Sequence, residues 1–447
     1  MFVNSIFVYI LLVVTIDLLF TINTVFAEPE ILSSGFKVKQ ILIGNFGSSS
    51  MAFLDEKNIM VLDRDNGRVY LVNVYDSTIL GEPILDVDVS TNGFRGLLGI
   101  AIDNKIFGSL AHPYVYLYYT ESQTSEDGSD ENQNNIVEPA GNRIYRYEFI
   151  DNKLVNPKLI LDLPSLPGPH NAGGVIEIGP DNNLYILIGD LTSAFNKKYR
   201  NQAINDLDGK LPDGRGGILR INLGNISSSN NNNENNFYIF HDNGIIGNDY
   251  PQNLYYAYGI RNGFGLDWDP ITGKLWDTEN GPLFGDEINL VMPGFNSGWS
   301  KVQGIWKPEV DKMGKILLEP SPSVLVDFNG KGHYSPPKFI WKKSVGPSAI
   351  KFLTSKLYGS EYENDLFVGD VNLGNLYHFE LNDDRTSLEI QSKLLKDKIA
   401  DNYDEIDDSI IFGKNFEKIT DIEISPNGYM YILSSQKNTN LYKIIPF

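Results

Sequence analysis

Short apolar runs recur along the chain, broken by Asp, Asn, Gly and Pro, and one phrase keeps returning. It reads apolar, then Asp or Pro-Asp/Asn, a turn residue, and Leu-Tyr-apolar. Gly179-Pro-Asp-Asn-Asn-Leu-Tyr-Ile-Leu-Ile-Gly-Asp190 is the clearest copy, with Trp268 to Trp276 and Ile424 to Ile432 as further ones. Looser copies lie at Phe53 to Leu62, Ala101 to Tyr119 and Tyr362 to Val368. Several are followed by a second run in the style of Asn-x-Leu-Tyr-x-apolar, as at Gly67-Arg-Val-Tyr-Leu and Asn440-Leu-Tyr-Lys-Ile. Each unit predicts strand, tight turn, strand, because Asp-Asn and Asn-Gly supply the positive φ that hairpins need. One hairpin cannot bury its apolar face alone, and repeated hairpins do so as blades around an axis. No long 3.6-residue apolar period stands outside the N-terminus, so helices are expected to be few and short. The expected fold is all-β: a six-bladed β-propeller of four-stranded antiparallel blades. Gly35 to Ile43 and the C-terminal Tyr442 to Ile445 are expected to pair and close the ring, which removes exposed sheet edges.

Residues 2 to 27 are almost wholly apolar and end in Val25-Phe26-Ala27, followed by Glu28-Pro29-Glu30. This reads as a secretory signal over 1–27, with the propeller over 28–447. The alternative is a retained membrane anchor, since no Lys or Arg precedes the run and Asp17 interrupts it. An extracellular or periplasmic location follows in either case. Three segments read as solvated insertions: Glu121 to Glu138, the Asn/Ser-rich Asn225 to Asn236, and Lys393 to Ser409.

Composition narrows the partners. Lys plus Arg is 37 against 57 Asp plus Glu, a formal charge of −20. A phosphate binder needs a basic stripe, so nucleic acid is excluded, as is docking on anionic lipid beyond the N-terminal segment. Cations, neutral sugars and neutral small molecules remain. With no Cys there is no disulfide frame, thiolate metal site or cysteine nucleophile.

The common catalytic signatures are missing, which leaves a few constellations. His170 sits in Pro167-Gly-Pro-His-Asn-Ala-Gly-Gly174, just before the clearest blade strand. A neutral imidazole at a channel mouth accepts a proton from a substrate hydroxyl; the alternative is a loop histidine bonded to a carbonyl. Arg261-Asn262 precedes another blade strand, where a guanidinium stabilises a developing oxyanion or forms a structural salt bridge. Asp277 to Glu287 holds four carboxylates around a Gly281-Pro282 turn. Hard cations such as calcium take carboxylates and carbonyls freed at such turns; a solvated acidic loop is the alternative.

Taken in order, Arg95-Gly-Leu-Leu-Gly-Ile-Ala101, His170-Asn-Ala-Gly-Gly174, Gly217 to Asn222, Tyr258-Gly-Ile-Arg-Asn262, Thr278-Glu-Asn-Gly-Pro282, Gly285-Asp-Glu-Ile-Asn289, Pro293 to Trp299 and Ser344-Val-Gly-Pro-Ser348 form a specific set. The set resembles the soluble quinoprotein aldose dehydrogenases, the glucose/sorbosone dehydrogenase family, which uses pyrroloquinoline quinone. The resemblance implies an enzyme that oxidises the C1 hydroxyl of an aldose to a lactone and passes electrons to an external acceptor. It implies His170 as general base, and Arg261 with Asn262 on the quinone. It also implies calcium held by the carbonyls of Gly281 and Pro282, with Asn280, Asp286 and Glu287 in the same loop. Trp341 is expected to stack on the quinone, and Lys418 to meet its carboxylates. The chain departs from the family pattern at Phe94, Pro169, Asn372, Lys418 and Thr420. The rival readings are a propeller binding module without cofactor and a calcium-dependent lactonase.

Overall fold

The computed structural model describes residues 27–103, 112–131, 137–165, 171–191, 200–223, 244–310, 316–320, 325–436 and 438–447. The expected signal segment, apart from Ala27, and the insertion Asn225 to Asn236 lie outside the described residues, as does His170. The fold is an all-β propeller. Among the described residues the strands assemble into sheets of five, four, six, five, six and four strands, with one two-stranded ribbon. In chain order the sheets begin on the inner strands Ser48–Phe53, Leu97–Asp103, Ile176–Ile178, Gly263–Trp268, Pro347–Phe352 and Ile419–Ile424. Each inner strand packs on the next, and the last returns to the first, so they line a common axis.

The clearest repeat shows why the sequence does this. In Gly179 to Asn183 the Asp181 carboxylate caps Asn183 N at 3.2 Å, and Asn182 takes φ 62°, a conformation Asn tolerates. The chain reverses into Asn183–Ile188, every residue of which is buried. A strand buried on both faces has apolar residues throughout, which is why this copy reads as an unbroken run. The ring closes as expected: Phe36–Gly44 pairs antiparallel with Thr439–Pro446, from Phe36 opposite Pro446 to Gly44 opposite Thr439. Between adjacent sheets the inward faces interdigitate, as where Tyr118 and Ile144 meet Ile186 and Leu219. Each fully buried side chain of this size contributes roughly 1.5–3 kcal/mol. The described residues hold only three-residue 3-10 turns as helix.

The expectation of uniform four-stranded antiparallel blades is corrected. Phe295–Asn296 runs parallel beside Tyr255–Tyr258, with His333–Tyr334 parallel beyond it, and Ile399–Ala400 runs parallel to Phe339–Lys343. These two-residue strands come from long loops folded back over sheet edges, where they cover backbone groups that would otherwise be open. The ribbon Trp306–Val310 with Ile316–Pro320 stands apart from the sheets. Two insertions are also more than solvated loops. Asp130 is buried and accepts from Thr91 N at 3.0 Å and from Arg95 Nη1 at 2.6 Å. In the Lys393 to Ser409 segment Leu395 is buried, and the Tyr403 hydroxyl donates to Ser344 O at 2.8 Å.

Candidate active site

The strands Leu275–Glu279 and Phe284–Val291 are antiparallel neighbours, with Glu279 opposite Glu287. The turn between them is held from inside. Asp286 accepts Gly281 N at 2.9 Å on one oxygen. Its other oxygen accepts Ser344 Oγ at 2.8 Å, Val345 N at 2.9 Å and Gly346 N at 2.8 Å. One buried carboxylate thereby joins the Gly281-Pro282 turn to the loop that enters the next inner strand. A Cβ on Gly281 would lie 1.9 Å from Phe284 O, so only glycine fits there.

Arg261 lies against this turn. Its Nη1 donates to Asn280 O at 2.7 Å and Gly281 O at 3.0 Å, and its main-chain N donates to Glu279 Oε1 at 2.7 Å. Its guanidinium sits 5.6 Å from the Trp299 ring centroid. Arg261 Nε and Asn280 Oδ1 are buried without a hydrogen-bond partner among the described residues. Burial lowers the Arg261 pKa, against the raising fields of Asp190, Glu279 and Asp286. Asn262 accepts Gly173 N at 3.3 Å on its side chain and Asn280 N at 2.8 Å on its carbonyl. Arg261, Asn262, Asn280 and Gly281 are thus brought together.

The residue after His170 is fixed to the same centre. Asn171, at φ 53°, donates from Nδ2 to Asp190 Oδ1 at 2.6 Å, and Trp299 Nε1 donates to Asp190 Oδ2 at 2.7 Å. A Cβ on Gly189 would lie 2.1 Å from Asn171 O and 2.7 Å from Arg261 O, so a bare backbone is what lets those two segments close on each other. Asp190 does not stand out as chemistry in the sequence, and Glu279 does so only as one of the four carboxylates around the Gly281-Pro282 turn. The signal for Asp190 is an acid ending a wholly apolar run, and for Glu279 its place on a buried strand.

Behind the turn lies a buried acid cluster. Glu279 accepts Ser297 Oγ at 2.6 Å, and burial pushes its pKa up to about 7, moderated by the Ser297 and Arg261 bonds. Burial, then the charge of Glu279, raises Asp277 and Glu287 well above the carboxylate range. Glu287 is taken up by Gly304 N at 2.5 Å, Gln303 Nε2 at 3.0 Å and Asn289 Nδ2 at 3.1 Å. The carboxylates of Asp286 and Glu287 are therefore engaged in holding loops, while the carbonyls of Asn280 and Gly281 accept from Arg261. No group of three or more His, Cys, Asp or Glu is arranged for a metal among the described residues.

Trp341 does not join this centre. It is fully buried in the core, with ring centroids of Phe339 at 4.8 Å and Tyr377 at 5.2 Å. The expected stacking role is corrected: strand alternation turns Phe339 and Trp341 to the same packed face. Lys418 does line the site. It shares a cavity of about 330 Å³ with Asn280, Arg64, Phe94, Phe264 and Asp421 at the mouth of the ring. Arg64 was not singled out by the sequence.

The glucose/sorbosone dehydrogenase family model matches residues 48–443, and the chain belongs to that family of oxidoreductases. It is 24% identical over 401 residues to the aldose sugar dehydrogenase YliI of Escherichia coli, covering 89% of each chain. It is 30% identical over 283 residues to quinoprotein glucose dehydrogenase B of Acinetobacter calcoaceticus, covering 60% of this chain and 53% of that one. The solved PQQ-bound aldose sugar dehydrogenase of Streptomyces coelicolor superposes with TM-score 0.60 at 19% identity, over 93% of this chain and all of that one, a likeness of fold.

Proposed function

We propose that this chain oxidises the C1 hydroxyl of an aldose to the lactone with pyrroloquinoline quinone and calcium, handing electrons to an external acceptor outside the cytoplasm. The sheets on the six inner strands are read as the six blades of the propeller. The observation that carries the reading is the buried Arg261 Nε and Asn280 Oδ1, without partners among the described residues, with Asn280 lining the mouth cavity. A buried donor and acceptor cost free energy unless a ligand completes them. They fit a flat group that bears both oxygen acceptors and an attached cation. A quinoprotein relative and a fold neighbour solved in its PQQ-bound form support the same group.

When bound, the quinone supplies a two-electron acceptor and calcium a Lewis acid. The chain's own residues do the rest. Arg261 presents a fixed guanidinium to the oxygen where negative charge grows, already oriented by Asn280 O and Gly281 O. The carbonyls of Gly281 and Pro282 with Asn280 Oδ1 would hold calcium. Asp286 positions that turn through Gly281 N, while Glu287 holds the Gln303-Gly304 segment behind it. His170 takes the proton from the C1 hydroxyl, a role that rests on its motif. Asn262 and Asp190 hold the segment after His170 against Arg261.

The test is reconstitution: quinone and calcium are added to purified protein, and dye reduction is followed with a panel of aldoses. Turnover with at least one aldose is expected, and replacing His170 with Ala should reduce it by orders of magnitude. No turnover with any sugar rejects the reading, and lactone cleavage with calcium alone would make the chain a hydrolase.

A further inference from the structure

We propose that Arg64, together with Lys418, forms a carboxylate clamp in the mouth cavity that grips the acidic edge of the quinone. The inference rests on the function proposed above and adds a residue to it. The two cations come from neighbouring sheets. Arg64 follows the strand Asn58–Asp63, and Lys418 precedes the inner strand Ile419–Ile424; both side chains line the one cavity.

The Arg64 fork is built rather than loose. Its main chain is pinned at both ends, N donating to Gly47 O at 2.8 Å and O accepting from Leu97 N at 2.9 Å. Its stem lies against Gly96, where a Cβ would stand 2.7 Å from Arg64 Cγ and 2.4 Å from its carbonyl oxygen. Its Nε donates to Asp65 Oδ1 at 2.7 Å, which fixes the plane of the guanidinium. Its two Nη groups have no protein partner among the described residues, and neither does the Lys418 ammonium. Lys418 is itself held by its carbonyl, which accepts Ser435 N at 2.9 Å.

The acids of the cavity do not compete for these donors. Asp65 is turned to Arg64 Nε, and Asp421 accepts Ser50 Oγ at 2.8 Å, Met51 N at 2.7 Å and Ile422 N at 2.8 Å. A chain of charge −20 thus opens a cavity whose lining carries two cations with open donors, Arg64 and Lys418. A guanidinium with Nε occupied and both Nη groups open suits a carboxylate, which it grips through paired N–H donors. Asn280, on the wall braced by Arg261, lines the same cavity, so one flat ligand would reach from that wall to the clamp. Its oxygens would face Arg261 and its carboxylates the clamp.

A carboxylate could come from the quinone or from an acidic sugar, and the experiment separates them. Pyrroloquinoline quinone is titrated by absorbance, in calcium at low ionic strength, into wild type, Arg64→Met, Arg64→Lys and Lys418→Met. Met keeps the stem that packs on Gly96 and removes the fork. Arg64→Met is expected to weaken quinone binding about 10- to 100-fold and Lys418→Met about 10-fold. Arg64→Lys should recover part of the loss. Added salt should weaken wild-type binding more than that of Arg64→Met. Wild type that binds while Arg64→Met binds equally tightly overturns the clamp and leaves the function standing. Unchanged quinone affinity in Arg64→Met with a raised KM for a uronic acid alone also overturns it, assigning the fork to substrate. Wild type that binds no quinone rejects the function and the clamp together.

Discussion

Lys351 reaches Glu423 at 2.9 Å, Glu177 at 3.1 Å and Asp267 at 3.7 Å, groups drawn from the inner strands of four sheets. The sheets of Glu177 and Glu423 are not neighbours in the ring, so this knot crosses the axis. A few residues away, at the mouth, Arg261 Nε and Asn280 Oδ1 are buried with no partner among the described residues. Both regions place charge where water is scarce. The knot answers its charges with one another and so serves the fold. The mouth leaves polar atoms open, at a cost in stability that only a ligand would offset. What separates the two regions is the neighbourhood of the open atoms: Asn280 lines the mouth cavity, while Lys351 has its carboxylates around it.

That contrast can be broken by substitution. The largest effect is expected from Arg261→Ala, which should lower reconstituted aldose oxidation about 1000-fold, the scale of losing an oxyanion donor. Its urea midpoint without ligand should hardly fall, because a partly unpartnered buried cation is removed. A drop in stability with activity retained would reverse the assignment of the two regions. Lys351→Met should do the opposite. Removing one partner of a buried ionic group costs about 3 kcal/mol, read from urea unfolding. Quinone affinity should stay within about twofold, since the knot has no part in binding. An intermediate loss of activity is expected from Asp286→Ala, which frees both the Gly281 turn and the Ser344 loop; about tenfold in kcat/KM is predicted.

The smallest effect is in pH. Burial, partly countered by Lys351, raises Glu177 and Glu423 from the ordinary carboxyl value to about 7. The native state therefore binds more protons than the unfolded chain between those values. Stability from these groups is fullest below the unfolded pKa and declines as pH rises through about 7. The urea midpoint should be higher at pH 5 than at pH 8, and Glu423→Gln should flatten that slope. A midpoint that rises toward pH 8 would contradict the description of the knot.

The sequence announced what is local. Repeated strand-turn-strand phrases, the closing pair of termini, and the Arg261 and Gly281 phrases could be read because the residues that define them are near neighbours in the chain. Asp190 could not, since its partner Trp299 is 109 residues away and its own surroundings read as a core strand. Arg64 escaped for a similar reason: its role depends on Gly96 and Lys418, which the ring brings to it. Trp341 misled because it precedes the Ser344-Val-Gly-Pro phrase closely, while its direction is set by the pleat of Phe339–Lys343 and the aromatic core beneath. His170 lies outside the described residues, and its role still rests on motif alone.

The most direct measurement is equilibrium titration of the purified chain with pyrroloquinoline quinone and calcium, followed by the quinone absorption band. The account predicts saturable binding at one quinone per chain, lost in Arg261→Ala and kept in Lys351→Met. An absorption band that never shifts, or one that shifts equally in Arg261→Ala, would contradict it.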